Sequence, residues 1–164
     1  MRTALLACSA VICCCAALAW QPAEATAGRA GLDRAERKVV RLVNRIRARH
    51  GLRRLRASRA LARAASAHTS EMLRANYLGH ASSNGTSMAG RVRAYTRARW
   101  VGECLAAATR GGSARRVVRM WMASPPHRAV LLSPRARRIG VGRHRGSMGG
   151  QRLAVYTLDL ASRR

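Results

Sequence analysis

An amphipathic helix that runs into two consecutive prolines constrains the fold of this chain more than any other stretch. The apolar side chains of residues 117–122 recur at steps of three and four, so they share one helical face opposite a face of arginines. Pro125 and Pro126 cannot continue the helix, because proline lacks an amide donor and displaces the preceding residue from the helical region. His127 is therefore predicted to lie just past a buried helix, held by the apolar run that follows it.

Residues 1–27 have the pattern of a cleaved secretory signal. Arg2 provides the positive start, residues 4–18 the apolar middle, and Ala25-Thr26-Ala27 the small-x-small cleavage site. The apolar middle is too short to span a bilayer comfortably, and no transmembrane helix is predicted in the mature chain. We therefore expect a secreted, extracellular protein with a single domain over residues 28–164, long enough to bury one hydrophobic core. We expect it to be a monomer.

The cysteine distribution excludes an internal disulfide. Four of the five cysteines lie in the predicted signal, which leaves Cys104 as the one free thiol of the mature chain. The simplest role for Cys104 is that of a small buried hydrophobe. The alternative is a nucleophile whose pKa is lowered by nearby arginines, with His80 or His127 as its base.

The net charge of +26 is carried almost entirely by arginine, and Lys38 is the single lysine. Signal cleavage leaves this charge unchanged, because it removes one base and one acid. Abundant alanine and the absence of phenylalanine match the codon bias of a GC-rich genome, which is one explanation of the arginines. The other explanation is that the arginines attract an anionic partner, which could be a wall polymer, lipid headgroups or nucleic acid. Attraction to a wall polymer would place the protein at the cell wall. Nucleic acid is the weakest of these partners, because the arginines form no stripe and accompany no nucleic-acid-binding motif.

Periodicity and turn signals predict the order of the elements. Helices are predicted over residues 32–49, 59–76 with Ser58 as N-cap, 88–98, and around residue 117, followed by strands over 138–145 and 153–160. The last strand is apolar on both faces, which requires helices above and below the sheet. The predicted fold class is α+β, a three-layer α-β-α sandwich with a C-terminal antiparallel hairpin.

Four polar side chains stand out against this framework. His68 lies on the core side of the second helix and is predicted to be packed and hydrogen-bonded, while His144 is predicted to be solvated near the hairpin end. His80 follows the second helix on a turn-rich loop. Glu103 is one of few acids and lies in an apolar run, where an internal ion pair with an arginine is the simplest role.

Several motifs in the same order resemble the bacterial branch of the CAP superfamily, the SCP-like extracellular domains. They are V-N-R-I-R at Asn44, Gly79-His80 followed by Asn84-Gly85, Ser87 and Arg91, then Gly102-Glu103-Cys104, W-M-A-S-P-P-H-R from Trp121, I-G-V-G from Ile139, and Y-T-L-D from Tyr156. The resemblance covers nearly the whole mature chain. Cys104 replaces an asparagine of the family pattern, and Pro126 replaces a glycine.

The resemblance implies a cleft formed by His80, Glu103, Ser124 and His127, in which Ser124 stands where animal and plant members carry a second acid. His80 and His127 could bind a divalent metal such as zinc, with Glu103 as a third ligand or as the base on a bound water. Glu103 and His127 are then the candidate catalytic residues. The alternative is a structural hydrogen-bond cluster.

Three functions remain open from the sequence. Superfamily members bind lipids, sterols or partner proteins, so the leading expectation is a secreted protein that binds a lipid, an anionic polymer or a protein through this cleft. The second is a metal-assisted hydrolase or protease that uses His80, Glu103 and His127. The third is a polycationic binder of anionic wall polymer or nucleic acid.

Overall fold

The computed structural model describes residues 32–109 and 112–163, so the predicted signal segment lies outside the described residues. The elements along the chain are α1 Arg34–Arg49, β1 Arg56–Ala57, α2 Arg59–Arg74, α3 Met88–Arg93, β2 Val101–Thr109, α4 Ala114–Ala123, α5 Pro125–Leu131, β3 Arg138–Met148 and β4 Gln151–Ala161. The helix predicted from residue 88 is shorter than expected. No helix within the described ranges is both long and apolar enough to cross a membrane.

The four strands form one mixed sheet in the order β1-β3-β4-β2. β3 and β4 make the predicted antiparallel hairpin, β1 pairs with β3 in parallel, and β2 pairs with β4 in antiparallel orientation. No strand was predicted for β2, the apolar run that contains Glu103. Its residues are buried on both faces of the sheet, so the alternation that normally reveals a strand is missing.

Helices cover both faces of this sheet, which confirms the predicted three-layer α-β-α sandwich. One face, here called the α1 face, packs against α1, α4 and α5 through a large core that includes Val43, Trp121 and Leu158. The other, the α2 face, packs against α2 and α3 in two smaller clusters centred on Leu61 and Met72. Alternate residues of each strand therefore face different helices.

Polar side chains set where the helices begin. Ser58 caps α2 as predicted, because its hydroxyl accepts a hydrogen bond from the Leu61 amide. Asp33 and Glu36 form a reciprocal capping box at the start of α1, in which each carboxylate accepts a hydrogen bond from the other residue's amide. These caps satisfy amide groups that have no partner within the helix.

The two prolines end one helix and also begin the next. α4 ends at Ala123, but Pro125 and Pro126 occupy the first two positions of α5, where an amide donor is not needed. His127 therefore lies in the first turn of a short helix and not on a loop. The end of α5 is held by the buried guanidinium of Arg47, which donates hydrogen bonds to the carbonyls of Leu131 and Ser133 at 2.8 and 3.0 Å.

Candidate functional site

Glu103 is the central acid of the site and is fully engaged. Its Oε1 accepts a hydrogen bond from Nδ1 of His80 at 2.7 Å, and its Oε2 accepts one from the Arg91 guanidinium at 2.5 Å. Arg91 also donates to the backbone carbonyl of His80 at 2.9 Å. The predicted ion pair of Glu103 with an arginine is confirmed, and the partner is Arg91 on α3.

His80 forms the solvent-facing part of this cluster. Its side chain is 57% exposed, whereas that of Glu103 is fully buried. The hydrogen bond to Glu103 raises the pKa of His80 above its ordinary value, and burial of the ring opposes this effect. Because Nδ1 carries the proton that is donated to Glu103, Nε2 of the neutral ring is the nitrogen left to accept a hydrogen bond.

The loop that carries His80 is tied to α2 at both ends. The carbonyl of Gly79 lies 2.9 Å from Nε2 of His68, whose Nδ1 lies 3.2 Å from Glu71. Three residues after His80, the Ser83 amide and hydroxyl donate to Oε1 of Glu71 at 2.6 and 2.8 Å. His68 is packed and hydrogen-bonded as predicted, and with Glu71 it positions the loop.

The anchoring carboxylate of Glu71 gives the protein a defined sensitivity to acid. Burial would raise the pKa of Glu71, but the hydrogen bonds from Ser83 and His68 outweigh it and lower the pKa to about 2. A pKa that is lower in the folded state stabilises the protein fully above the unfolded value near 4.5 and loses this stabilisation as the pH falls towards 2.

We therefore expect Glu71→Gln to lower the midpoint of urea unfolding clearly at pH 6 and much less at pH 3. The test measures the midpoint of both proteins across this range. Asp33→Asn, which removes one acid at the start of α1 and keeps an N-cap side chain, controls for the loss of one negative charge. A difference between wild type and Glu71→Gln that does not change with pH would contradict this role.

Ser124 and His127 form a second pair on the other side of β2. The Ser124 hydroxyl makes no capping bond to α5 and lies 2.8 Å from Nδ1 of His127. Burial lowers the pKa of His127, and the charge of His80 lowers it further. The two histidines therefore interact electrostatically. No hydrogen bond joins His127 to Glu103 or His80 in the described part of the chain.

Cys104 is a buried core residue, in keeping with the simplest role predicted for it, and its burial does not suit the alternative role of a nucleophile. The thiol is fully buried and faces α5, where it donates to the His127 carbonyl at 3.8 Å. Burial raises the pKa of Cys104, and the negative charges of Glu103 and Asp159 raise it further. No arginine is among the charges that shift this pKa, and a thiol with a raised pKa is a poor nucleophile.

The donor atoms are poorly suited to the three-ligand zinc centre that the resemblance left open. Catalytic zinc has three protein ligands and one open position. Both oxygens of Glu103 already accept a hydrogen bond, from His80 and from Arg91, so Glu103 is poorly placed to act as the third ligand. Within residues 32–109 and 112–163, no group of three or more His, Cys, Asp or Glu side chains is placed to hold a metal ion.

Asp159, the last residue of the Y-T-L-D motif, is an acid of this site to which the sequence patterns assigned no role. It lies on β4 directly opposite Glu103 on β2, and its side chain is completely buried. The signal that could have identified it is that Asp159 is the one acid of β4 and lies within the apolar part of that strand. His144 was also misjudged, because it is half-buried and its Nε2 lies 2.9 Å from the Ser66 hydroxyl.

A groove between α1 and α4 lies on the opposite side of the sheet from Glu103. It has a volume of about 220 Å³ and combines apolar and cationic side chains. Its lining, here called the arginine groove, consists of Leu42, Ile46, Val118, Arg45, Arg49, Arg115 and Arg119.

The fold and the histidine–glutamate cluster define an α-β-α domain of the SCP type. Residues 40–159 match the model of the CAP family, described as the cysteine-rich secretory protein family. The chain belongs to this family. A comparison with curated proteins found no match.

Solved structures with the same fold come from several bacteria. An extracellular SCP-domain protein of Bacillus anthracis aligns with a TM-score of 0.66 and 24% identity, over 79% of this chain and 40% of that protein. An outer surface protein of Borrelia burgdorferi aligns with a TM-score of 0.67 and 20% identity, over 81% and 97% of the two chains. A cysteine-rich secretory protein of Staphylococcus aureus aligns with a TM-score of 0.60 and 18% identity, over 79% of this chain and 38% of that protein. This chain thus spans about two fifths of the Bacillus protein.

Proposed function

We propose that this chain is an exported CAP-family binding protein that holds an anionic amphiphile in the arginine groove. The observation that carries the proposal is the composition of the groove, in which an apolar floor lies beside four guanidinium groups. Such a surface matches a ligand with an acyl chain and a negatively charged head, because each part meets its complement.

The spacing of the arginines supports this assignment. Arg45 and Arg49 are one turn apart on α1, and Arg115 and Arg119 are one turn apart on α4, so both pairs border the same groove. The volume of about 220 Å³ is below that of a pocket that encloses a whole drug-sized molecule. We therefore propose that the groove holds only one segment of the amphiphile and leaves the remainder in solvent.

The chemistry of the histidine cleft favours binding over hydrolysis. Both oxygens of Glu103 already accept hydrogen bonds from His80 and Arg91, and Cys104 is fully buried with a raised pKa. A hydrolase needs an activated nucleophile or a general base that can reach its substrate. We therefore place ligand binding above the metal-assisted hydrolase that used His80, Glu103 and His127.

We further propose that the protein acts outside the cell as a monomer. The pattern of residues 1–27 supports cleavage and a mature domain over residues 28–164. The relatives described as an extracellular protein and as an outer surface protein support the same location. Association with the cell wall is the second candidate function, because exposed arginines also occur on α2, on the other side of the sheet.

The direct test uses a fluorescent fatty acid below its micellar concentration as the anionic amphiphile. We expect Arg45→Ser/Arg49→Ser to weaken its binding by roughly tenfold, because two charge-assisted contacts are lost. The fatty alcohol of the same chain length should bind more weakly than the acid. The measurement is the dissociation constant for each protein and ligand at fixed salt.

The matched control is Arg59→Ser/Arg63→Ser. It removes the same charge from exposed positions of α2, on the opposite side of the sheet. If the control weakens binding as much as the groove variant, the groove is not the site. Polyphosphate carries negative charge but has no acyl chain. If it binds as tightly as the fatty acid and displaces it, the proposed ligand is an anionic wall polymer and not an amphiphile.

A further inference from the structure

Glu103 and Asp159 are two acids that share one buried site. They are directly paired residues of the antiparallel strands β2 and β4, so both side chains project onto the same face of the sheet. Asp159 is fully buried and Glu103 is 4% exposed. Within residues 32–109 and 112–163, no donor group gives a hydrogen bond to either oxygen of Asp159. A carboxylate without a partner in such surroundings is strongly disfavoured.

The positive charge around the pair is sufficient for only one carboxylate. Arg91 of α3 faces the pair and is bonded to Glu103, and His80 is partly exposed and titratable. From α2, the buried ring of His68 is directed to Gly79 and Glu71 instead.

The remaining titratable neighbour is Cys104, which is on the opposite face and protonated. Two ionised acids would therefore leave an uncompensated negative charge in the interior, which is among the most destabilising arrangements in a protein.

We infer that Asp159 remains protonated in the folded protein and donates its proton to Glu103, so that it is the second acid of the site. In this arrangement Glu103 accepts hydrogen bonds from His80, Arg91 and Asp159. The proton stays on Asp159, and one carboxylate and one carboxylic acid share the charge of Arg91. Asp159 is thus a positioning residue, which orients Glu103 and, through it, the ring of His80.

The electrostatics agree with this geometry. Burial raises the pKa of Asp159, the charge of Glu103 raises it further, and Arg91 opposes both effects. Because the folded pKa lies above the unfolded one, the folded protein holds an extra proton once the pH exceeds the unfolded value, about 4. The wild-type protein therefore loses stability as the pH rises above this value, until Asp159 ionises in the folded state.

The first test is infrared spectroscopy of the wild-type domain at pH 7, compared with Asp159→Asn. We expect the carbonyl stretch of a protonated carboxylic acid in the wild type and its loss in the variant. Glu103→Gln identifies any contribution of the other acid. Absence of the band from the wild type overturns the inference, and this result does not depend on whether the variants fold.

The second test measures the pKa of His80 by NMR. Replacing a neutral acid with an amide removes no charge, so Asp159→Asn should leave the pKa of His80 close to that of the wild type. A clear fall in this pKa would mean that Asp159 is negatively charged, which contradicts the inference. Asp159→Ala, which cannot donate a hydrogen bond, should instead broaden the His80 resonances as Glu103 loses its fixed orientation.

The third test is the pH dependence of melting. We expect the melting temperature of Asp159→Asn to rise relative to that of the wild type as the pH increases from about 4 to 8, because the amide has no proton to lose. A difference that is constant across this range would contradict a protonated Asp159.

Discussion

Replacing Gly140 with alanine is expected to destabilise the domain by about 3 kcal/mol or more, beyond the usual effect of one added methyl group. A Cβ at Gly140 would lie 2.2 and 2.3 Å from backbone atoms of Leu61 and Ala62. These atoms belong to α2, which cannot withdraw without losing its packing against the sheet. Gly142→Ala should behave similarly, because its Cβ would lie 2.4 Å from the backbone of Ala65. Urea unfolding monitored by circular dichroism measures the loss.

Gly146→Ala on the same strand is the matched control. Its Cβ would meet only the side chain of Leu73, at 3.0 Å, and a flexible side chain can move aside. We expect a change of less than about 1 kcal/mol there, since alanine also reduces the entropy of the unfolded chain. Equal unfolding midpoints for the Gly140 and Gly146 variants would show that α2 does not rest directly on the glycines.

Glu103→Ala is expected to cost about 3–5 kcal/mol, because it removes one partner of a buried ion pair and the hydrogen bond that holds the Arg91 guanidinium. The same substitution should lower the pKa of His80, since the hydrogen bond to Glu103 is the main cause that raises it. The two measurements are the free energy of unfolding and an NMR titration of His80. In wild type, the stabilisation from this contact is complete below the unfolded pKa of His80 and is lost as the pH rises through the folded value.

Glu103→Gln and Glu36→Gln provide the comparison. Glutamine at position 103 keeps the shape of the side chain and one acceptor for Arg91. Glu103→Gln should therefore lower the free energy of unfolding, but by less than Glu103→Ala does. Glu36 is a partly buried acid of the α1 capping box, remote in sequence from His80, and its replacement should leave the pKa of His80 unchanged. An unaltered pKa of His80 in Glu103→Ala would show that the 2.7 Å contact is not maintained in solution.

The histidine cleft was only partly predictable from the sequence. The motifs identified His80, Glu103, Ser124 and His127, and the shortage of acids indicated an arginine partner for Glu103. Asp159 was not identified, because its position opposite Glu103 depends on the register of two strands that are more than fifty residues apart. From the sequence alone, Glu103 could act as a free base or as a metal ligand. The structure shows instead that each of its oxygens accepts a hydrogen bond, one from His80 and one from Arg91.

Local patterns determined four of the five described helices, the Ser58 cap, the C-terminal hairpin and the three-layer arrangement, because periodicity and turn chemistry act over a few residues. The ordered motifs were also sufficient to indicate the CAP family. Only the tertiary structure decided that Pro125 starts a second helix, that Gly140 lies beneath α2, and that Cys104 is buried against α5. The reason is physical, since burial, strand register and the sharing of charge are properties of contacts between segments distant in the chain.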